Sequence, residues 1–131
     1  MCIRDSTEPS AGSDANSGKT KATIDTKNNC YLINGQKMWI TNSGFAEIFI
    51  VFAKIEDDEK LSAFIIEKSF GGITLGEEEK KLGIKGSSTR QVYFENCPVP
   101  MENLLGKRND CLLYTSPSPR DRTRSRMPSS A

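Results

Sequence analysis

Between positions 21 and 95 the chain alternates short apolar runs with polar clusters, and the runs are too short and too β-branched for helices. Seven segments fit strands: residues 21–25, 30–34, 36–41, 48–54, 61–68, 72–75 and 91–95. Each is rich in Ile, Val, Phe, Tyr or Thr, and Gly, Asn, Asp and Lys clusters separate them. Residues 48–54 and 61–68 are nearly continuous apolar runs, which predicts strands buried on both faces. The charged segment Glu56-Asp57-Asp58-Glu59-Lys60 predicts a tight connection between them. Asn34-Gly35, between Tyr31-Leu32-Ile33 and Lys37-Met38-Trp39-Ile40, predicts a type I′ hairpin turn, because that turn needs two residues at positive φ. Pro98-Val99-Pro100 excludes helix and central strand and predicts an extended segment. Helical periodicity is weak throughout; Glu77-Glu78-Glu79-Lys80-Lys81 fits a solvated loop. The resulting class is all-β, a small antiparallel barrel or sandwich.

Composition alters this picture mainly at the ends. From Tyr114 onward the chain becomes rich in Ser, Pro and Arg and almost free of apolar residues, too polar to offset its own ordering entropy. It resembles translated adapter or vector sequence, as does Met1-Cys2-Ile3-Arg4-Asp5-Ser6. The expected organisation is therefore a leader (1–6), one domain (7–110) and a disordered basic tail (111–131). Five of the 18 basic residues (Arg4, Arg120, Arg122, Arg124 and Arg126) and two of the 17 acidic ones (Asp5 and Asp121) lie in those ends. The centre is left with a balance of −2, the wrong sign for a nucleic-acid binder. No apolar run approaches the roughly 18 residues that cross a bilayer, and residues 1–6 contain no secretory h-region.

Histidine is absent, which removes Ser-His and Cys-His nucleophile pairs, and no metal site is expected. The four cysteines (Cys2, Cys30, Cys97 and Cys111) show no C-x-x-C spacing and read as free thiols in a reducing compartment. Three segments carry candidate chemistry. In Thr7-Glu8-Pro9-Ser10-Ala11-Gly12-Ser13-Asp14, small residues would let backbone N–H groups and the Ser13 hydroxyl approach an anion. The same residues also fit a polar loop capped by Asp14 or Ser17. In Lys37-Met38-Trp39-Ile40-Thr41-Asn42, the lone indole and a hydroxyl two residues on share a strand face and would flank a flat heterocycle. Taken alone, these residues fit a core tryptophan leading into a loop better. Lys81-Leu82-Gly83-Ile84-Lys85-Gly86-Ser87-Ser88-Thr89 lacks the spacings of known phosphate loops.

The order of these segments is more informative than any one of them. Thr7-Glu8-Pro9-x-Ala11-Gly12-Ser13-Asp14, Asn34-Gly35-x-Lys37-x-Trp39-Ile40-Thr41-Asn42, Lys81-Leu82-Gly83-Ile84-Lys85-Gly86-Ser87-Ser88-Thr89 and Val92-Tyr93-Phe94-Glu95-Asn96-x-x-Val99-Pro100-x-Glu102-Asn103-Leu104-Leu105-Gly106 together resemble the acyl-CoA dehydrogenase family over residues 7–110. The match is to its middle β-domain. Ser69-Phe70-Gly71-Gly72-Ile73-Thr74 and Glu79-Lys80-Lys81-Leu82-Gly83 look most like the very-long-chain branch.

The resemblance implies an FAD-dependent oxidoreductase that converts fatty acyl-CoA to trans-2-enoyl-CoA in fatty acid β-oxidation. It would hand electrons to an electron-transfer flavoprotein and act as a homo-oligomer, in the bacterial cytoplasm or the mitochondrial matrix. It implies FAD contacts at Thr7, Gly12, Ser13, Trp39, Ile40 and Thr41, with Ser13 also near the CoA moiety and the Thr41 hydroxyl near flavin N5. The family's catalytic carboxylate belongs to a helical C-terminal domain, and no residue here matches it, so this chain alone is expected to be inactive. The strand that precedes Thr7 in the family is expected to be missing, with residues 1–6 in its place. Rival readings are an acyl-CoA oxidase and a non-enzymatic β-module that binds a ligand or partner.

Overall fold

The two apolar runs pair with each other, as their sequence predicts. In this computed structural model, which describes residues 2–109 with side chains from residue 6, they are β4 (Ile48–Ile55) and β5 (Ser62–Glu67). They run antiparallel from Ile48 opposite Glu67 to Ala53 opposite Ser62. One face of the pair buries Phe49, Val51, Ala53, Ile55, Phe64 and Ile66, and the other buries Phe52 and Ala63 with Leu61. Arg108 braces the charged turn between them through two hydrogen bonds to Asp58, at 2.6 and 2.9 Å.

The remaining strands are β1 (Cys2–Asp5), β2 (Lys21–Asp25), β3 (Cys30–Thr41), β6 (Ile73–Glu78), β7 (Thr89–Pro100) and β8 (Leu104–Leu105). The sheet order is β6-β7-β3-β2-β4-β5-β8, with β1 beside β4. Most pairings are antiparallel, so the all-β class holds. Among the described residues the sheet does not close into a barrel, because the path of pairing ends at β6 on one side and β8 on the other. The sheet nevertheless curls over its core: Tyr31 and Phe64 lie on strands separated by two others, yet their rings meet edge to face at 5.1 Å.

Three local expectations are corrected. Asn34-Gly35 is not a hairpin turn but the interior of a continuous twelve-residue β3. The β2–β3 hairpin turns earlier, at residues 26–29, where the Asp25 carboxylate accepts from the backbone N–H of Lys27 and the side-chain amide of Asn28, and Asn29 takes positive φ. Gly35 is there for another reason: a Cβ would stand 2.4 Å from Thr20 Oγ1. Second, Cys2–Asp5, expected to lie outside the fold, forms β1 and pairs in parallel with β4 from Cys2 opposite Ile48 to Asp5 opposite Val51. Third, Glu77 and Glu78, expected in a solvated loop, end β6, with Glu78 opposite Arg90; Pro98 and Pro100 are extended as expected, beyond the reach of β6, so their missing N–H groups cost no ladder bond on that side. The expected tail, residues 111–131, lies outside the described residues.

Candidate functional site

The site begins with a change of phase in β3. Tyr31 and Ile33 face the core, and strict alternation would send Trp39 there too. Instead the register with β7 advances three residues on β3 (Lys37 to Ile40) for two on β7 (Val92 to Arg90). This bulge places one extra residue in β3 and flips every later side chain to the opposite face. Ile40 therefore enters the core at 4% exposure, and Trp39 stands outside it at 56%. Trp39 adopts φ +58°, a left-handed conformation that a bulky residue rarely tolerates. Thr41 shares its exposed face, so of the two readings of this tryptophan the core one is excluded.

The loop containing Thr7, Gly12 and Ser13 is tied to the same stretch of β3. The N–H of Met38 donates to the carbonyl of Thr7 at 2.9 Å. Glu8 and Ala11 exchange backbone hydrogen bonds around Pro9-Ser10, and Asp14 caps a short 3-10 turn, accepting from the N–H of Asn16. Beneath the loop lies a buried ion pair. Lys37 Nζ sits 2.6 Å from Glu8 Oε1 and 2.7 Å from the carbonyl of Phe52, and the pair's side chains are 1% and 3% exposed. The Glu8 carboxylate also accepts from the backbone N–H groups of Lys19 and Thr20.

This pair was not foreseen from the sequence. A signal existed: Lys37 has the parity of Tyr31 and Ile33, and a charged residue at an inward position requires a buried partner. Burial alone would raise the pKa of Glu8, but the hydrogen bond and charge of Lys37, with the Lys19 N–H, hold its carboxyl below the usual glutamate value. A carboxyl lowered in the folded state stabilises above its unfolded pKa and loses that contribution as pH falls through the native value. Glu8→Gln is therefore expected to flatten the acid limb of stability against pH below about pH 4.3, with urea midpoints across pH 2–6 as the measurement.

The third segment also converges on the end of β3. Thr41 pairs with Thr89, and the N–H of Asn42 donates to the carbonyl of Ser88. Lys81 closes the base of its loop by donating to the Ser87 carbonyl and to Thr89 Oγ1. Beyond that base, Leu82 and Ile84 project fully into solvent. Of the expected site residues, Thr7, Trp39 and Thr41 gather at one end of β3. Gly12 and Ser13 lie on the exposed loop bonded to it, and only the Ile40 side chain turns away, into the core.

Cys30 and Cys97 are free and buried, and burial pushes the Cys97 thiol up to about 11. Among the described residues no helix is long and apolar enough to cross a membrane.

The chain is similar in sequence and fold to known proteins. The family model described as acyl-CoA dehydrogenase, middle domain, matches residues 5–97. A probable acyl-CoA dehydrogenase of Bacillus subtilis is 54% identical over 101 residues, which cover 77% of this chain. The mitochondrial very long-chain specific acyl-CoA dehydrogenase of Rattus norvegicus is 49% identical over 112 residues, covering 79%. The crystal structure of an acyl-CoA dehydrogenase complexed with FAD from Bacillus anthracis superposes with a TM-score of 0.81 at 50% identity, covering 85% of this chain and 19% of that one. The chain spans 17% of the length of the two curated relatives. It belongs to the acyl-CoA dehydrogenase family, as that family's middle domain.

Proposed function

We propose that this domain forms one wall of the FAD site of an acyl-CoA dehydrogenase. The full-length protein oxidises fatty acyl-CoA to trans-2-enoyl-CoA and passes the electrons to an electron-transfer flavoprotein. The observation that carries this reading is Trp39, an indole turned out of the core by a bulge and held beside Thr41 and the Thr7–Ser13 loop.

The residues present fit the cofactor. Trp39 offers an apolar face and Thr41 a hydroxyl on the same side of the strand. Gly12 lies on the open loop, and a Cβ added there would meet nothing within 4 Å, so this chain's own packing does not demand a glycine. A ligand's close approach to the backbone would. Thr7 and Ser13 supply hydroxyls on that loop, with Ser13 also directed to the CoA moiety. The buried Ile40 side chain serves by holding its neighbours in place. FAD, when bound, supplies the ring that accepts the substrate hydride. The hydroxyl of Thr41 would stabilise negative charge reaching the N5 edge of that ring. The base that removes the α-proton belongs to a further, helical domain, and the working enzyme is a homo-oligomer.

The test is purification of the full-length protein that carries this domain. It is expected to bind FAD stoichiometrically and to lose its visible flavin absorbance on anaerobic addition of a fatty acyl-CoA. Gly12→Val should raise the Kd for FAD at least tenfold, about 1.4 kcal/mol, with the unfolding midpoint of the apoprotein unchanged. A wild-type protein that takes up no flavin would sink the reading.

A further inference from the structure

The proposed chemistry makes no use of Lys37 or Glu8, yet theirs is the most enclosed of the ion pairs between described residues. Its position is specific. Lys37 is the last residue in register before the bulge, two positions from Trp39, and Ile40 resumes the register beyond it. Glu8 directly follows Thr7, whose carbonyl receives the Met38 N–H. The pair therefore links the loop to the strand of the bulge by one direct hydrogen bond, and three more anchor it to Phe52 on β4 and to the backbone of Lys19 and Thr20. Lys37 donates to Glu8 Oε1 and the Phe52 carbonyl, and Glu8 accepts from the N–H groups of Lys19 and Thr20. An apolar pair of similar volume would fill this space with less desolvation, but without direction. Directed bonds fix where the loop lies relative to β3.

We propose that Lys37 and Glu8 are positioning residues for the flavin, locking the Thr7–Ser13 loop and the Trp39 bulge into their binding arrangement before the cofactor arrives. The inference rests on the FAD reading above. Its physical basis is preorganisation: a site whose two halves are already joined need not lose their relative freedom when the ligand binds. The bulge adds a second reason. A left-handed tryptophan persists only where its neighbours over-determine it, and Lys37 and Ile40 hold the bulge from both ends.

The test uses the full-length protein with FAD as the probe. Glu8→Gln keeps the shape and removes the charge; Lys37→Arg keeps the charge and changes the donor geometry. Both are measured at temperatures where the apoprotein is fully folded by circular dichroism. Glu8→Gln is expected to raise the Kd for FAD at least tenfold and to change the visible circular dichroism of bound flavin, and Lys37→Arg to fall between it and wild type. Hydrogen exchange on the wild-type apoprotein needs no variant. The amides of Lys19, Thr20 and Met38 should already be protected without FAD. A folded Glu8→Gln with wild-type Kd and spectrum would overturn the proposal, and so would amides that become protected only when FAD is added. Those results leave wild-type flavin binding intact, whereas a wild type that binds no flavin removes the FAD reading itself.

Discussion

Lys37→Met is expected to cost about 3–5 kcal/mol of folding stability, read as a lowered urea midpoint with an unchanged m-value. Methionine fills much of the lysine's volume, so the loss comes from electrostatics rather than a cavity. The Glu8 carboxylate would remain almost wholly buried without its cation, and the Phe52 carbonyl would lose a donor at 2.7 Å. Since small domains hold only about 5–15 kcal/mol in total, this single change approaches the point of unfolding. The double change Lys37→Met with Glu8→Leu discriminates between causes. If the penalty is the orphaned charge, removing both charges restores much of the loss. Restoration should be incomplete, because the Lys19 and Thr20 N–H groups lose their acceptor, at about 1–3 kcal/mol for each group left buried and unsatisfied. A double variant no more stable than Lys37→Met would show that the pair's own attraction, and not the stranded charge, sets the cost.

Gly72→Ala should destabilise by about 2–5 kcal/mol, from left-handed backbone strain of about 1–3 kcal/mol together with overpacking of similar size. Gly71 and Gly72 both adopt positive φ, +83° and +70°. A Cβ at Gly72 would lie 2.6 Å from the carbonyl oxygen of Glu95 and 2.8 Å from Cys97 Cα, both backbone atoms of β7 that cannot turn aside. At Gly71 a Cβ would meet nothing within 4 Å. Gly71→Ala thus carries no steric part; at φ +83° and ψ 176° its backbone lies in a region that is essentially glycine's own, and the change is expected to cost about 1–3 kcal/mol. A larger loss at Gly72 than at Gly71, taken from thermal or urea unfolding, is the mark of the steric part. Equal losses would mean that β7 yields at Glu95–Cys97, where the ladder is already bulged.

That bulge explains why the clearest local signal in the sequence misled. Asn-Gly between apolar runs matches a hairpin turn, but Asn34 has a different partner. Its side chain exchanges hydrogen bonds with Asn96, accepting from the Asn96 N–H at 2.9 Å, at the point where β7 carries its extra residue. Gly35 makes room for Thr20, fifteen residues away in the chain. Both roles belong to contacts between segments distant in sequence, and no local pattern encodes them. By contrast, β4 and β5 were legible because a strand buried on both faces must be apolar at every position.

The Trp39 face follows the same division. Composition and order alone were enough for the all-β class, the strands around Phe49 and Phe64, and membership of a flavin-binding family through motifs spread from Thr7 to Gly106. Those properties depend on which side chains must be buried, and on residue types that recur in order. Tertiary structure decided that Trp39 faces outward, since alternation along β3 is broken only by its register with β7. It also joined Glu8 to Lys37 across 29 positions and recruited Cys2–Asp5 to the edge of β4. Each of these depends on pairing between distant strands, whose free energy is set by the partner and cannot be read from either segment alone.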